Sequence, residues 1–249
     1  MGRIKICDIP VDALTMQETI QLIDTAIIEK RPIHHVVINA AKVVNAQKDE
    51  ALKASIVSCD IINADGQAIV WAAGFLNRPL PERVAGIDLM ENLVNLAAEK
   101  RYRIFFLGAK EEVVKEVVNV YSKMYSEDII AGYRNGYFKK DEEQVVAKQI
   151  ADSGASILFV AITSPKKEIF LNTYKDLIKT PFIMGVGGSF DVVSGLVKRA
   201  PMWMQKSGLE WFYRVIQEPG RMWKRYLFGN SQFIYLVIKE KIKQIFKTK

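Results

Sequence analysis

Cysteine and histidine are scarce in this 249-residue chain, two of each: Cys7, Cys59, His34 and His35. Neither cysteine sits in a CxxC spacing, and two adjacent histidines are too few for a zinc site. A disulfide framework or metal cluster is therefore not expected, and a reducing cytosol fits. Long apolar runs are missing as well. No stretch approaches the ~20 residues that cross a bilayer. The opening MGRIKICDIPVDAL carries charges inside its apolar part and does not read as a signal peptide. The expectation is a soluble or peripheral protein rather than an integral one. Internal repeats and low-complexity segments are absent too. The one glycine cluster, GVGGSFD at 185–191, lacks both the GxGxxG spacing and the Lys-Ser/Thr of a P-loop.

Charge is present but lopsided. With 49% hydrophobic and 25% charged residues the chain has an ordinary globular composition, long enough for one substantial domain or a domain plus an appendage. Its net charge is +7; residues 196–249 hold 12 Lys/Arg against 3 Asp/Glu, a net of +9, leaving −2 for the first 195 residues. Composition changes near Gly195 to Pro201. The chain is accordingly divided into an α/β unit, residues 1–195, and a basic appendage, residues 196–249. An asymmetry of this kind points to an anionic partner for the tail: nucleic acid, phospholipid or a diphosphate.

The body alternates strand-like and helix-like segments. Short apolar runs at HHVVINA (34–40), DIINAD (60–65), RIFFLGA (103–109) and SILFVAITSP (156–165) read as strands, DIIAGYRNGYF (128–138) as a strand and a turn, and PFIMGVGG (181–188) as a strand running into glycines. Between them, 40–57, 67–76, 87–100, 110–125, 141–154 and 166–178 have helical periodicity or length; 67–76 reads as a buried helix. This alternation implies an α/β fold with a Rossmann-like, mostly parallel sheet covered by helices on both faces. Such sheets bind ligands outside the carboxyl ends of their strands. Asn39, Asp65-Gly66-Gln67, Gly108-Ala109, Asn135-Gly136, Thr163-Ser164-Pro165 and Gly185 to Gly188 should then converge.

Several of these residues are chemically suggestive. Asp65, ending an apolar strand before glycine, suits a general base or a ligand for a sugar hydroxyl; it equally suits a turn residue capping the next helix. Arg83, in the loop after PLPE, suits a diphosphate clamp, or a solvated ion pair with Glu82 or Asp88. Gly187, Gly188 and Ser189 allow a phosphate or sugar close approach, or simply make a tight turn. The tail interleaves Lys198, Arg199, Lys206, Arg214, Arg221, Lys224 and Arg225 with Trp, Tyr and Phe. That pattern suits a helical, interfacial membrane segment, or a solvated face over packed aromatics. Arg214, Arg221 and Arg225 would share one face of a continuous helix, but Pro219-Gly220 is expected to interrupt it. No nucleic-acid motif accompanies the charge, so nucleic acid is the weaker partner. FIYLVIKEKIKQIFK (233–247) reads as a further amphipathic helix.

Taken together, the blocks INADGQAIVWA, LPERVAGIDLM, FFLGA, NGYF, LFVAITSPKKEIF, GVGGSFDVVSGLVKRAPMW and GLEWFYRVIQEPGRMWKRYL resemble the WecG/TagA/CpsF family of bacterial glycosyltransferases, in order over about residues 36–230. The resemblance implies an inverting transfer from a UDP-sugar to a polyprenyl-diphosphate-linked acceptor. It implies no metal and no cofactor, at the cytoplasmic face of the bacterial membrane, for a wall polymer or exopolysaccharide. It makes Asp65 the base, with Asn39 at the donor sugar and Gly66, Gln67 and Arg83 beside the substrate. Arg214 and Arg221 would meet the diphosphate, supported by Lys224 and Arg225, from a tail that closes over the site and touches the membrane. Self-association would hide the greasy tail surface in solution. Two positions depart from the family pattern: Val37 stands where many members carry Thr, and Lys167 where many carry Gln. Lys167 raises the expectation of a uronic acid carboxylate on the donor.

Overall fold

The computed structural model describes residues 2–217 and 219–247; the side chains of Lys206, Arg214, Arg221, Met222, Lys224, Arg225, Tyr226 and Lys247 lie outside the described set. The chain begins with an antiparallel hairpin, β1 (Arg3–Ile6) and β2 (Ile9–Asp12), followed by α1 (Met16–Ile28). It then runs β3 (Ile33–Ile38), α2 (Ala40–Ala46), α3 (Glu50–Val57), β4 (Ile61–Ala64), α4 (Gln67–Phe75), α5 (Gly86–Lys100) and β5 (Ile104–Gly108). Next come α6 (Glu111–Met124), β6 (Ile130–Arg134), α7 (Glu143–Asp152), β7 (Ile157–Ala161), α8 (Lys166–Ile178) and β8 (Phe182–Gly185). The last elements are α9 (Ser189–Val193), α10 (Met202–Lys206), α11 (Glu210–Gln217) and α12 (Pro219–Lys247).

Strands β3 to β8 form one six-stranded sheet in the order β4-β3-β8-β7-β5-β6, and every pairing is parallel. Alternate residues of each strand face opposite sides, so continuous apolar strands feed two cores. On one face Ile104, Phe106, Phe159, Phe182 and Met184 pack under α1, α5, α6 and α9. On the other, Phe105, Leu107, Leu158 and Val160 meet α7 and α8. Val36, Ile38, Ile62 and Ala64 continue that second face beneath α2, α3, α4, the hairpin and the inner side of α12. Helix–sheet–helix layering of this kind follows from strands that are apolar on both faces. The edge strand β4 is closed by the hairpin: buried Asp12 accepts the Ile62 N–H at 2.8 Å while Arg3 binds its carboxylate at 2.7 and 2.9 Å.

Helix starts follow local chemistry. Thr15 and Glu18 form a capping box at α1, and Asn39 and Asp49 accept N–H groups in the first turns of α2 and α3. The Asp49 cap corrects one expectation. Residues 40–57 form two helices rather than one, because Asp49 starts a new helix after the chain turns at Gln47. A second correction concerns α4. It is helical but buried on one side only, with Trp71 and Phe75 exposed and Ile69, Ala72 and Ala73 inside. The break expected near Pro219 adjoins residue 218, which lies outside the described residues; helix is described up to Gln217 and again from Pro219.

The tail is anchored to the body. Phe233 and Val237 of α12 are buried against α2. One turn on, Glu240 accepts the Cys7 N–H and the Arg78 guanidinium, each at 2.6 Å. Opposite that inner face, Leu227, Ile234, Ile238, Ile242 and Ile245 point outward at helical spacing. No helix among the described residues is long and apolar enough to cross a membrane.

Candidate active site

All six strand ends lie on one edge of the sheet, and β4, β3 and β8 build one corner of it. β3 leads into α2 on one face and β8 into α9 on the other. The chain parts between them, which is where a crevice opens in such folds.

Asn39 ends β3 and caps α2, its Oδ1 accepting the Lys42 N–H at 3.0 Å. Asp65 ends β4; its N–H continues the ladder to Ile38 O at 2.9 Å. Asp65 Oδ1 accepts the Gly86 N–H at 3.0 Å, at the entrance of α5. One strand residue back, Val84 N–H donates to Ala64 O at 2.9 Å. The loop carrying Arg83 is therefore laid along the end of β4, beside the carboxylate. Gly66 is needed for closeness: a Cβ there would lie 3.3 Å from the Asn39 Cβ. Val37, the residue departing from the family pattern, faces the same place, since a Cβ on Gly86 would lie 3.4 Å from Val37 Cγ2.

The tail covers this corner. Gly208 turns the chain between α10 and α11 with a positive φ of 74°, and a Cβ there would come within 2.8 Å of Gln67 Cγ. Two residues on, Glu210 Oε2 lies 3.3 Å from Arg83 Nη1. Its other oxygen, Oε1, lies 3.9 Å from Arg199 Nε, and Arg199 Nη2 is 2.6 Å from Asp88 Oδ1 on α5. Arg83 thus pairs with Glu210 rather than with Glu82 or Asp88. Glu82 instead accepts the Met16 N–H and Asp88 takes Arg199.

Behind Asn39 sits a charged cluster. Lys167 and Glu168, at the start of α8, are both buried, with Lys167 Nζ 3.0 Å from Glu168 Oε1. The Lys167 side chain lies across Gly185 of β8. Burial pushes the Glu168 carboxyl up, but the ammonium groups of Lys167 and Lys42 outweigh it and hold its pKa below the usual carboxylate range. Burial and the neighbouring Lys167 cation bring the Lys42 ammonium down to about 8, against the opposing pull of Glu168 and Asp65. The extra charge of Lys167, which suggested a uronate on the donor, is here matched by a carboxylate of the protein itself.

Asn39, Asp65, Gly66, Gln67 and Arg83 therefore come together at one corner, with Lys167 adjoining through Lys42. Gly187 and Gly188 are exposed in the turn after β8, and Ser189 is buried, its hydroxyl donating to Val186 O at 2.7 Å. Arg214 falls in α11, and Arg221, Lys224 and Arg225 in α12, but their side chains lie outside the described residues. Sequence reasoning passed over Lys42, Glu168 and Glu210, named Asp88 only as a possible partner of Arg83, and counted Arg199 only within the general tail charge. The one signal for Glu210 was its rarity, as one of three acidic residues in the tail.

A family model described as "Glycosyl transferase WecG/TagA/CpsF family" matches residues 4–247. Among characterised proteins, the N-acetylglucosaminyldiphosphoundecaprenol N-acetyl-beta-D-mannosaminyltransferase of Bacillus subtilis is 41% identical over 204 residues, 82% of this chain and 78% of that protein. The protein of the same name from Bacillus spizizenii is 38% identical over 194 residues, 78% of this chain and 74% of its own.

Proposed function

Because the chain belongs to the WecG/TagA/CpsF family of glycosyltransferases, we propose that it moves a sugar from a UDP-sugar to a polyprenyl-diphosphate-linked acceptor in wall-polymer synthesis, with Asp65 as the base. The relatives named for N-acetylmannosaminyl transfer to an N-acetylglucosaminyl-diphosphoundecaprenol support an N-acetylhexosamine donor of that kind. The observation that carries the reading is Asp65, held through Oδ1 to the Gly86 N–H at 3.0 Å, in the corner shared by Asn39, Gly66, Gln67 and Arg83. A backbone donor on Oδ1 orients the carboxylate towards a hydroxyl brought within hydrogen-bond reach.

In the step proposed, the acceptor hydroxyl loses its proton to Asp65 while its oxygen bonds to the anomeric carbon. The bond from that carbon to the UDP oxygen breaks, and the electron pair leaves on the diphosphate. Attack opposite the leaving group inverts the centre. The growing diphosphate charge calls for guanidinium groups, which preorganised arginines supply at low reorganisation cost. Arg83 and, from the tail, Arg214 and Arg221 are assigned this role, with Lys224 and Arg225 in support. The outward apolar stripe of α12, with Lys239, Lys241 and Lys243 on the same helix, suits an anionic membrane surface where such an acceptor resides. Residues 196–249 are read as the unit that brings site and membrane together.

The test is UDP release from a panel of UDP-sugars, with and without a short polyprenyl-diphosphate N-acetylhexosamine acceptor, for the wild type and Asp65→Asn. Acceptor-dependent release, reduced at least about a hundredfold in a folded Asp65→Asn variant, is expected. Undiminished release in that variant would remove Asp65 from the role of base.

A further inference from the structure

We propose that the exposed face of α4 is a subsite for the lipid part of the acceptor: a notch over Gly74, between Trp71 and Phe75, that seats the first isoprene units of a polyprenyl diphosphate. Its assignment to the acceptor rests on the transferase reading above. Gln67, Trp71 and Phe75 stand at i, i+4 and i+8, so they share one side of α4. Gln67 follows Asp65 by two residues, and at 1.5 Å per residue Phe75 lies about 12 Å further along the helix axis. The stripe thus leads out of the catalytic corner. Trp71 and Phe75 are 60% and 53% exposed. Two large aromatics on neighbouring turns of one helix face make a contiguous apolar patch rather than a scattered residue.

A glycine sits within this face. Gly74 stands three residues after Trp71 and next to Phe75, on the exposed side of the helix. Glycine weakens a helix relative to alanine; it is the residue of choice where the backbone needs a positive φ or another group approaches closely. Neither reason holds within the protein itself. Gly74 has no positive φ, and a Cβ added to it would meet nothing within 4 Å among the described residues. The bare position leaves a notch between the two rings, where an apolar chain can lie against the helix backbone.

Both ends of the notch are defined. At the inner end the Gly208 turn lies on α4: a Cβ there would be 2.8 Å from Gln67 Cγ and 3.7 Å from Trp71 Cη2. At the outer end the Lys241 ammonium of α12 stands 5.5 Å from the centre of the Phe75 ring. Ile238 and Ile245, three residues before Lys241 and four after it, are exposed beside it on α12. The notch therefore opens onto the outward stripe of α12. A bilayer calls for a broad apolar face of the kind α12 presents. The α4 stripe is one residue wide and indented at Gly74, which suits a single branched hydrocarbon chain. A ligand whose sugar reaches Asp65 while its lipid tail stays in the membrane has to cross this interval, and a polyprenyl-diphosphate-linked sugar is built that way.

Calorimetric titration of the full chain with farnesyl diphosphate and, separately, with inorganic pyrophosphate reads the chain-dependent part of binding in the absence of vesicles. The wild type is expected to bind the farnesyl compound about tenfold more tightly. Gly74→Leu fills the notch with a good helix former, so its thermal midpoint should equal or exceed that of the wild type. Its affinity for farnesyl diphosphate should fall about tenfold, while that for pyrophosphate stays within about twofold. Trp71→Ser should show the same selective loss. Unchanged farnesyl diphosphate affinity in both folded variants overturns the proposal. So does tighter co-sedimentation of Gly74→Leu with phosphatidylglycerol vesicles at unchanged farnesyl diphosphate affinity, which assigns the face to the bilayer. Selective loss in a protein that turns over no UDP-sugar sinks the transferase reading and leaves the notch standing. Turnover of a prenyl-diphosphate acceptor with equal KM in the wild type and Gly74→Leu does the reverse.

Discussion

Replacing Gly185 by alanine probes the floor beneath the Lys167–Glu168 pair. The backbone there has no positive φ, so the added methyl is the whole perturbation. That Cβ would sit 2.6 Å from Lys167 Nζ, 2.8 Å from Cε and 2.9 Å from Cδ, all well inside contact distance. The side chain must give way by about 0.6–1.4 Å to reach ordinary contact near 3.5–4 Å. Its ammonium then leaves a 3.0 Å contact with a carboxylate that is only 7% exposed. Overpacking a tight site costs about 1–3 kcal/mol, and fully breaking a buried pair about 3–5 kcal/mol. The lysine tail is flexible and Lys42 remains nearby, so the expected cost lies towards the first range, about 2 kcal/mol. For a chain of this length that lowers the thermal midpoint by about 4–8 °C. The assay is a double-mutant cycle in urea. In a Lys167→Ala background, which removes all three obstructing atoms, Gly185→Ala should cost less than about 0.5 kcal/mol. Equal costs in the two backgrounds would show that Lys167 is not the obstacle and that this account of the β8 floor is wrong.

Other outcomes can be checked alongside. His35 is buried, its Nε2 is 2.8 Å from Asn63 Oδ1, and Asn63 Nδ2 donates to Thr19 at 3.2 Å, so the ring proton belongs on Nε2. A second proton would go on Nδ1, which has no hydrogen-bond partner among the described residues, and burial lowers the pKa from 6.5 to about 4. The unfolded chain therefore takes up a proton that the folded chain refuses. Stability is fully present above pH 6.5 and falls by about 3 kcal/mol as pH drops to about 4. Urea titrations at pH 7 and 4.5 should show a smaller loss for His35→Gln than for the wild type, and identical losses would refute the assignment. On α12, Phe233→Ala should cost about 3 kcal/mol in the same assay, because it empties a buried position against α2. Ile242→Ser, on the outward stripe, should change stability by less than about 0.5 kcal/mol yet weaken co-sedimentation with anionic vesicles. Vesicle binding unaffected by Ile242→Ser would detach the stripe from the membrane role.

Much of the architecture was legible because its signals are local. Apolar runs bounded by Gly, Asp and Pro marked all six strands of the main sheet, and periodicity marked the helices between them; α8 starts and ends where that pattern does, at Lys166 and Ile178. The rule that strand ends converge then placed Asn39, Asp65 and Gly185 on one edge. The errors have equally local causes. The helix read across 40–57 hid a new N-cap at Asp49, and the apolar content of α4 masked its position near the sheet edge, where Trp71 and Phe75 stay more than half exposed beside Gly208 and Lys241 of the tail. The N-terminal hairpin went unread because its sense depends on the unpaired edge of β4, which Asp12 closes from fifty residues away.

Sequence alone determined the layers, the parallel sense of the sheet and the basic tail, since these follow from the spacing of apolar and charged residues along the chain. It also carried the family resemblance, in blocks of neighbouring residues. Only the tertiary structure decided what the charges meet. Arg83 pairs with Glu210 across 127 positions, Lys167 finds its counter-ion on the next residue over the bare backbone of Gly185, and Arg199 bridges Asp88 and Glu210. Hydrophobic patterning is a property of one segment, whereas an ion pair depends on where two segments end up, and that depends on how the whole chain packs.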